Sequence, residues 1–125
     1  WTHGDLSSWN LLGQPDGRLT VLDWETANPS GVPLLDVFHF LVFERILLGE
    51  KADTLIGRCL KDSSVVGWAR RCVGADRQTA SALLVVYLVD LLRLFRASSE
   101  LGTRQRAVAL MLEESLEVLG DCLSR

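Results

Sequence analysis

With 125 residues, 48% of them hydrophobic, and a formal charge of −3, the chain suits one domain, or part of one, with a packed core. That balance excludes a disordered segment and a basic nucleic-acid face, and the longest apolar run, around residues 80–89, is too short to span a membrane. Cys59, Cys72 and Cys122 form no close pair and no metal spacing with the two histidines, so we read them as reduced, mostly buried thiols of a cytoplasmic protein.

The first predicted element in chain order is a β-hairpin within "NLLGQPDGRLTVLDW". Leu11 and Leu12 lead in, and Leu19, Val21 and Leu22 lead out. Pro15-Asp16-Gly17 supplies the turn: Pro fixes φ, Asp bonds its own backbone and Gly tolerates positive φ. Residues 26–33, "TANPSGVP", read as a loop. From Pro33 the pattern is helical to the end. "PLLDVFHFLVFERILLG" is apolar on most faces, which predicts a buried helix ending before Gly49. "ADTLIGRCLKD" and "SSVVGWARRCVG" predict one or two shorter amphipathic helices. A long helix should start at about Asp76, and a last one should carry Val108, Leu112, Leu116 and Leu119 on one stripe. The expected fold is therefore α+β and mostly α: a short hairpin followed by a bundle of four or five helices. The basic pairs, Arg70-Arg71 and Arg104 with Arg106, read as solvated helix faces.

The chemistry lies at the front, in "HGDLSSWN" (residues 3–10) and "VLDWE" (residues 21–25). Asn10 enters the first strand and Asp23 leaves the second. An antiparallel hairpin brings its open ends together, so these two should lie side by side. Asp5, five residues before Asn10, sits on the loop feeding that end. Two carboxylates and a carboxamide suit a hard cation such as Mg²⁺, which takes oxygen ligands and keeps several waters. A carboxylate not needed for metal can accept a proton from a hydroxyl. Phosphoryl transfer asks for those two parts.

These residues resemble the catalytic loop and metal-binding motif of the aminoglycoside phosphotransferase and choline kinase-like family, the small-molecule branch of the protein-kinase-like fold. Gly4 stands where protein kinases carry Arg, and Trp24 where they carry Phe. The resemblance implies Asp5 as catalytic base, Asn10 as a Mg²⁺ ligand, and Asp23 as the principal Mg²⁺ ligand. It also implies that His3 holds the loop without acting as a base. "GVPLLDVFHFL" is similar to the segment that follows, where Asp36 would brace the loop from a buried helix. Residues 1–25 would then be the catalytic loop and metal-binding hairpin, and residues 33–125 the helical subdomain of a C-terminal lobe. The family's N-terminal ATP-binding lobe, with its phosphate-covering loop and Lys–Glu pair, has no counterpart here. The chain opens on Trp1, inside the motif, so we expect a piece of a longer protein that is inactive alone.

The implied function is an ATP-dependent small-molecule kinase using Mg²⁺. Its acceptor is a hydroxyl on an aminoglycoside, a choline-like amino alcohol or a sugar, with no nucleic-acid or membrane partner. A kinase-fold binding domain without turnover is the alternative. A two-metal phosphoesterase would need more histidines than His3 and His39. A purely helical interaction module explains residues 50–125 well and residues 1–25 badly. Asp5 as a simple turn cap leaves Asn10 and Asp23 unexplained. His39, among Phe38, Phe40 and Leu41, reads as a packing histidine. Glu25 divides evenly between a surface acid and a support for the metal ligands. Ser7, Ser8 and Trp9 could touch substrate, Trp68 and Phe95 belong to the core, and Asp90 reads as exposed on its helix.

Overall fold

The computed structural model describes residues 1–61, 71, 73–97 and 102–124. Trp68, Arg70 and Cys72, and with them most of the helix expected over residues 63–74, lie outside the described residues, as does the side chain of Arg104. The fold is α+β and mostly α, with one two-stranded antiparallel sheet and, among the described residues, four helices.

Strands β1 (Leu11–Gly13) and β2 (Leu19–Val21) pair Leu11 with Val21, Leu12 with Thr20 and Gly13 with Leu19. The turn is the one the residues demand. Gly17 has φ +82° and donates to the Gln14 carbonyl at 3.0 Å, while Asp16 accepts from the Arg18 amide at 3.1 Å and its guanidinium at 2.7 Å. A two-stranded ribbon this short is not stable alone. It is held at its open end, where the Leu22 amide donates to the Asn10 carbonyl at 2.8 Å. Leu12, Leu19, Leu22 and Trp24 stay exposed.

Residues 26–33, expected as loop, carry a backbone bridge that local composition does not show. Thr2 and Asn28 exchange both N–H···O bonds at 2.9 Å, so this segment pairs with the start of the chain. The approach is close enough that a Cβ on Gly31 would stand 1.9 Å from the Thr2 hydroxyl, which only glycine avoids.

Helix α1 begins at Leu35, after Leu34 in the left-handed region at φ +65°. It runs through Leu35–Phe38, His39–Phe43 and Glu44–Leu47 without a break, and the middle segment has π geometry. Gly49, at φ +76°, closes it by donating to the Ile46 carbonyl. Phe38, Val42 and Ile46 are buried while Phe40 and Leu48 are exposed, so the helix is less buried all round than its composition suggests.

Helix α2 (Ala52–Lys61) buries Ala52, Leu55, Ile56 and Cys59 at helical spacing. Helix α3 (Arg77–Ala97) starts where expected, with the Asp76 carboxylate accepting from the Thr79 amide at 2.8 Å. Helix α4 (Thr103–Leu123) buries Val108, Leu112 and Leu119, with Leu116 partly covered. Helix α4 packs along α3 and against α2, and α1 packs on α3. Phe95 packs against the core, Asp90 is exposed and ion-paired with Arg93 at 3.6 Å, and no described helix is long and apolar enough to cross a membrane. The thiols divide: Cys59 is buried, but Cys122 is exposed because it lies in the last turn of α4, beyond the covered stripe.

Phe38 is 1% exposed and joins α1 to α3, with its ring 6.0 Å from that of Tyr87. Phe38→Ala is expected to cost about 3–4 kcal/mol in urea unfolding, from lost transfer energy plus a cavity. A loss under about 1 kcal/mol would show that the site collapses without penalty.

Candidate functional site

The loop from His3 to Asn10 is held by its backbone. Gly4 has φ +88°, and a Cβ there would lie 2.8 Å from the Thr26 carbonyl oxygen. Glycine therefore suits the position on both counts. The Asp36 carboxylate, in the first turn of α1, accepts from the His3 amide at 2.7 Å and the Gly4 amide at 2.9 Å. One side chain thus satisfies two successive donors at the start of the loop. The His3 ring ties the loop to the hairpin. Its Nδ1 accepts from the Asp5 amide at 3.3 Å, so its Nε2–H donates to the Leu22 carbonyl at 2.7 Å. Both ring nitrogens are occupied by backbone, which suits a holding role. Trp24 packs edge-on to His3 at 4.8 Å and donates its indole N–H to the Val21 carbonyl. Further on, the Ser8 amide donates to the Glu44 carboxylate.

Asp5 and Asn10 meet directly. The buried Asn10 amide nitrogen donates to the Asp5 carbonyl at 2.8 Å and to its carboxylate Oδ2 at 3.2 Å. That spends both amide hydrogens and leaves Asn10 Oδ1 for another partner. Asp23 follows Leu22, whose amide is bonded to the Asn10 carbonyl, so Asp23 lies one residue beyond the position opposite Asn10 at the open end of the hairpin. Its backbone is left-handed at φ +60°, a conformation Asp tolerates better than most residues. The carboxylate is exposed and makes no capping bond. The Asp5 side chain is 42% exposed, so a substrate can reach it.

Among the described residues no three His, Cys, Asp or Glu side chains come together as a metal site. Asn10 Oδ1 and the exposed Asp23 carboxylate are oxygens near the open end of the hairpin that no described bond uses. Two such oxygens could hold Mg²⁺ only where waters and phosphate oxygens supplied most of its shell.

His39 is more than a packing histidine. It is 7% exposed, but its Nε2 lies 3.0 Å from Asp5 Oδ1 and its Nδ1 lies 3.2 Å from the Tyr87 hydroxyl. Helical spacing obscured this. His39 follows Asp36 by three residues, which places it beside the residue bracing the loop, and that offset was the available signal. Burial lowers the His39 pKa below its ordinary 6.5, against the opposing pull of Asp5, Asp36 and Glu44. The contact with Asp5 is therefore a hydrogen bond from a neutral imidazole rather than an ion pair. Burial likewise raises the Tyr87 phenol, which stays protonated.

The unfolded chain binds the His39 proton more tightly than the folded one. Its contribution to stability is complete above pH 6.5 and is lost as pH falls through the lower folded-state value. His39→Gln removes that dependence, so urea midpoints measured from pH 7 to pH 5 should fall less in the variant than in the wild type. An equal or larger fall would place the titration elsewhere.

Of the remaining loop positions, Ser7 is fully buried and cannot meet a substrate, because its hydroxyl turns inward beneath the Asp5 carbonyl. Ser8 and Trp9 are exposed, Trp9 lying edge-on to Phe43 at 6.4 Å. Glu25 is an exposed acid in the turn after Asp23. The chain matches no protein-family model, no curated protein and no solved structure.

Proposed function

We propose that this chain is the catalytic-loop portion of an ATP-dependent phosphotransferase that moves a γ-phosphate to a small-molecule hydroxyl. The observation that carries the reading is the Asp5–Asn10 contact at the open end of the hairpin, where Asp23 follows the residue bonded to Asn10, on a loop whose His3 and Gly4 amides are taken up by Asp36. In this reading Asp5 orients the acceptor hydroxyl and takes its proton, while Asn10 and Asp23 hold Mg²⁺. Bound Mg²⁺ would neutralise charge on the transferred phosphate. Asn10 would do two jobs: its amide nitrogen steadies Asp5, and its amide oxygen would be left to hold the cation. His3 keeps the Asp5 amide fixed to the hairpin. The acceptor is an aminoglycoside, an amino alcohol or a sugar, and the cytoplasm supplies the ATP.

The reading requires an ATP-binding lobe with a phosphate-covering loop and a Lys–Glu pair, which these residues do not contain. The test therefore uses the protein that carries this chain together with such a lobe. It is given γ-labelled ATP, Mg²⁺ and a panel of aminoglycosides, amino alcohols and sugars, with Asp5→Ala alongside. Label should reach one acceptor class, and both Asp5→Ala and chelation of Mg²⁺ should abolish the transfer. A kinase-fold binding domain without turnover is the second reading, favoured by the small number of ionisable metal ligands. Nucleotide binding with no transfer to any acceptor would decide for it.

A further inference from the structure

We propose that His39, backed by Tyr87, is a positioning residue that fixes the Asp5 carboxylate through its Nε2–H. The kinetic part of this inference rests on the phosphotransferase reading; the tautomer of His39 does not.

Three side chains from three distant parts of the sequence form one line. Tyr87, in α3, reaches His39 Nδ1 at 3.2 Å, and His39, in the π segment of α1, reaches Asp5 Oδ1 at 3.0 Å. The other Asp5 oxygen takes the Asn10 amide. Each carboxylate oxygen is therefore held by a separate donor, which fixes rotation of the group while leaving its outer face in solvent.

Only one protonation state of His39 satisfies the line. The ionisable groups facing the ring are the carboxylates of Asp5, Asp36 and Glu44 and the phenol of Tyr87. With the proton on Nδ1, the Nε2 lone pair would face an Asp5 oxygen 3.0 Å away, acceptor against acceptor. With the proton on Nε2, the ring donates to Asp5 and accepts from Tyr87, and every group is paired. The ring is also held in place. It stacks on Phe43 at 4.7 Å and 21°, and Tyr87 meets it edge-on at 6.0 Å and 86°. Tyr87 is itself packed against Phe38. A residue kept only to fill core volume would not need two polar partners at opposite ends of its ring.

Histidine-labelled protein, read by long-range ¹H–¹⁵N correlation, tests the state directly. His39 should be neutral and protonated on Nε2, and Tyr87→Phe should move the Nδ1 resonance toward that of an unbonded nitrogen. An Nδ1–H tautomer, an imidazolium at neutral pH, or an unmoved Nδ1 resonance in Tyr87→Phe would overturn the relay. In the labelled-ATP assay, His39→Leu should lower kcat by roughly 10- to 100-fold with acceptor KM within about twofold, because misplacement of a reacting group acts on the chemical step. His39→Gln, whose amide can still donate to Asp5, should recover most of that loss. Equal kcat in the Leu and Gln variants would overturn the positioning role. If the wild type transfers no phosphate, the phosphotransferase reading fails and the relay stands or falls on the tautomer.

Discussion

On the phosphotransferase reading, Asp5→Asn is expected to lower the rate of phosphoryl transfer by about 10³-fold, the scale of losing a general base, while leaving the chain folded. The substitution preserves shape and removes charge and basicity. Two donors point at this side chain, the Asn10 amide at Oδ2 and His39 Nε2 at Oδ1. An asparagine offers one oxygen and one NH₂, so one donor loses its acceptor. That costs about 1 kcal/mol, or roughly 4 °C in melting temperature for a domain of this size. The two consequences separate the roles: a thousandfold loss in rate beside a few degrees in melting identifies a chemical function. A rate within about tenfold of wild type would remove Asp5 from the chemistry and take the phosphotransferase reading with it.

Asp36→Ala has the largest expected effect on the fold around the site. It strips the acceptors from two successive backbone donors, His3 N–H at 2.7 Å and Gly4 N–H at 2.9 Å. Bonds to a charged acceptor contribute about 1.5–3 kcal/mol each, and partial exposure of this carboxylate lets water recover some of it. A loss of about 2–4 kcal/mol follows, a large share of a stability near 5–15 kcal/mol. Asp36→Asn should fall between, since its amide keeps one acceptor. Urea unfolding gives the size, and amide hydrogen exchange gives the place: His3 and Gly4 should lose protection before the α3 core. An Asp36→Ala protein as stable as wild type would mean that water serves these donors equally well.

Local chemistry made the hairpin legible, since Pro15-Asp16-Gly17 permits few alternatives, and the hairpin in turn set Leu22, the residue before Asp23, against Asn10. The role of Asp36 was readable only through the resemblance carried by "GVPLLDVFHFL". The helix starting after Asp76 and the stripe on α4 followed from capping and period. What escaped was set by long-range geometry. The Thr2–Asn28 bridge joins residues 26 apart whose side chains carry no strand pattern. Leu34 takes a left-handed backbone that its side chain disfavours, so nothing in its identity announces it. The packing of His39 was legible from its apolar neighbours, but its bonds to Asp5 and Tyr87 were not, because those partners lie 34 and 48 residues away.

The π segment of α1 has a consequence for how this site could be lost. Asp36 and Glu44 both grip the loop, one at His3 and Gly4 and the other at Ser8. They are eight positions apart, which in an unbroken α-helix turns them about 80° from each other. A wide π turn between them absorbs one residue, so they behave as if seven apart and line up to within about 20°. Deleting the codon for Phe40 or Leu41 would let that turn close to an ordinary α-helix, with Asp36 and Glu44 then seven apart and still aligned to within about 20°. Straightening the turn at its present length would instead swing Glu44 away from Ser8 whenever Asp36 stayed on its amides. The grip on the loop depends on the width of that turn matching its number of residues.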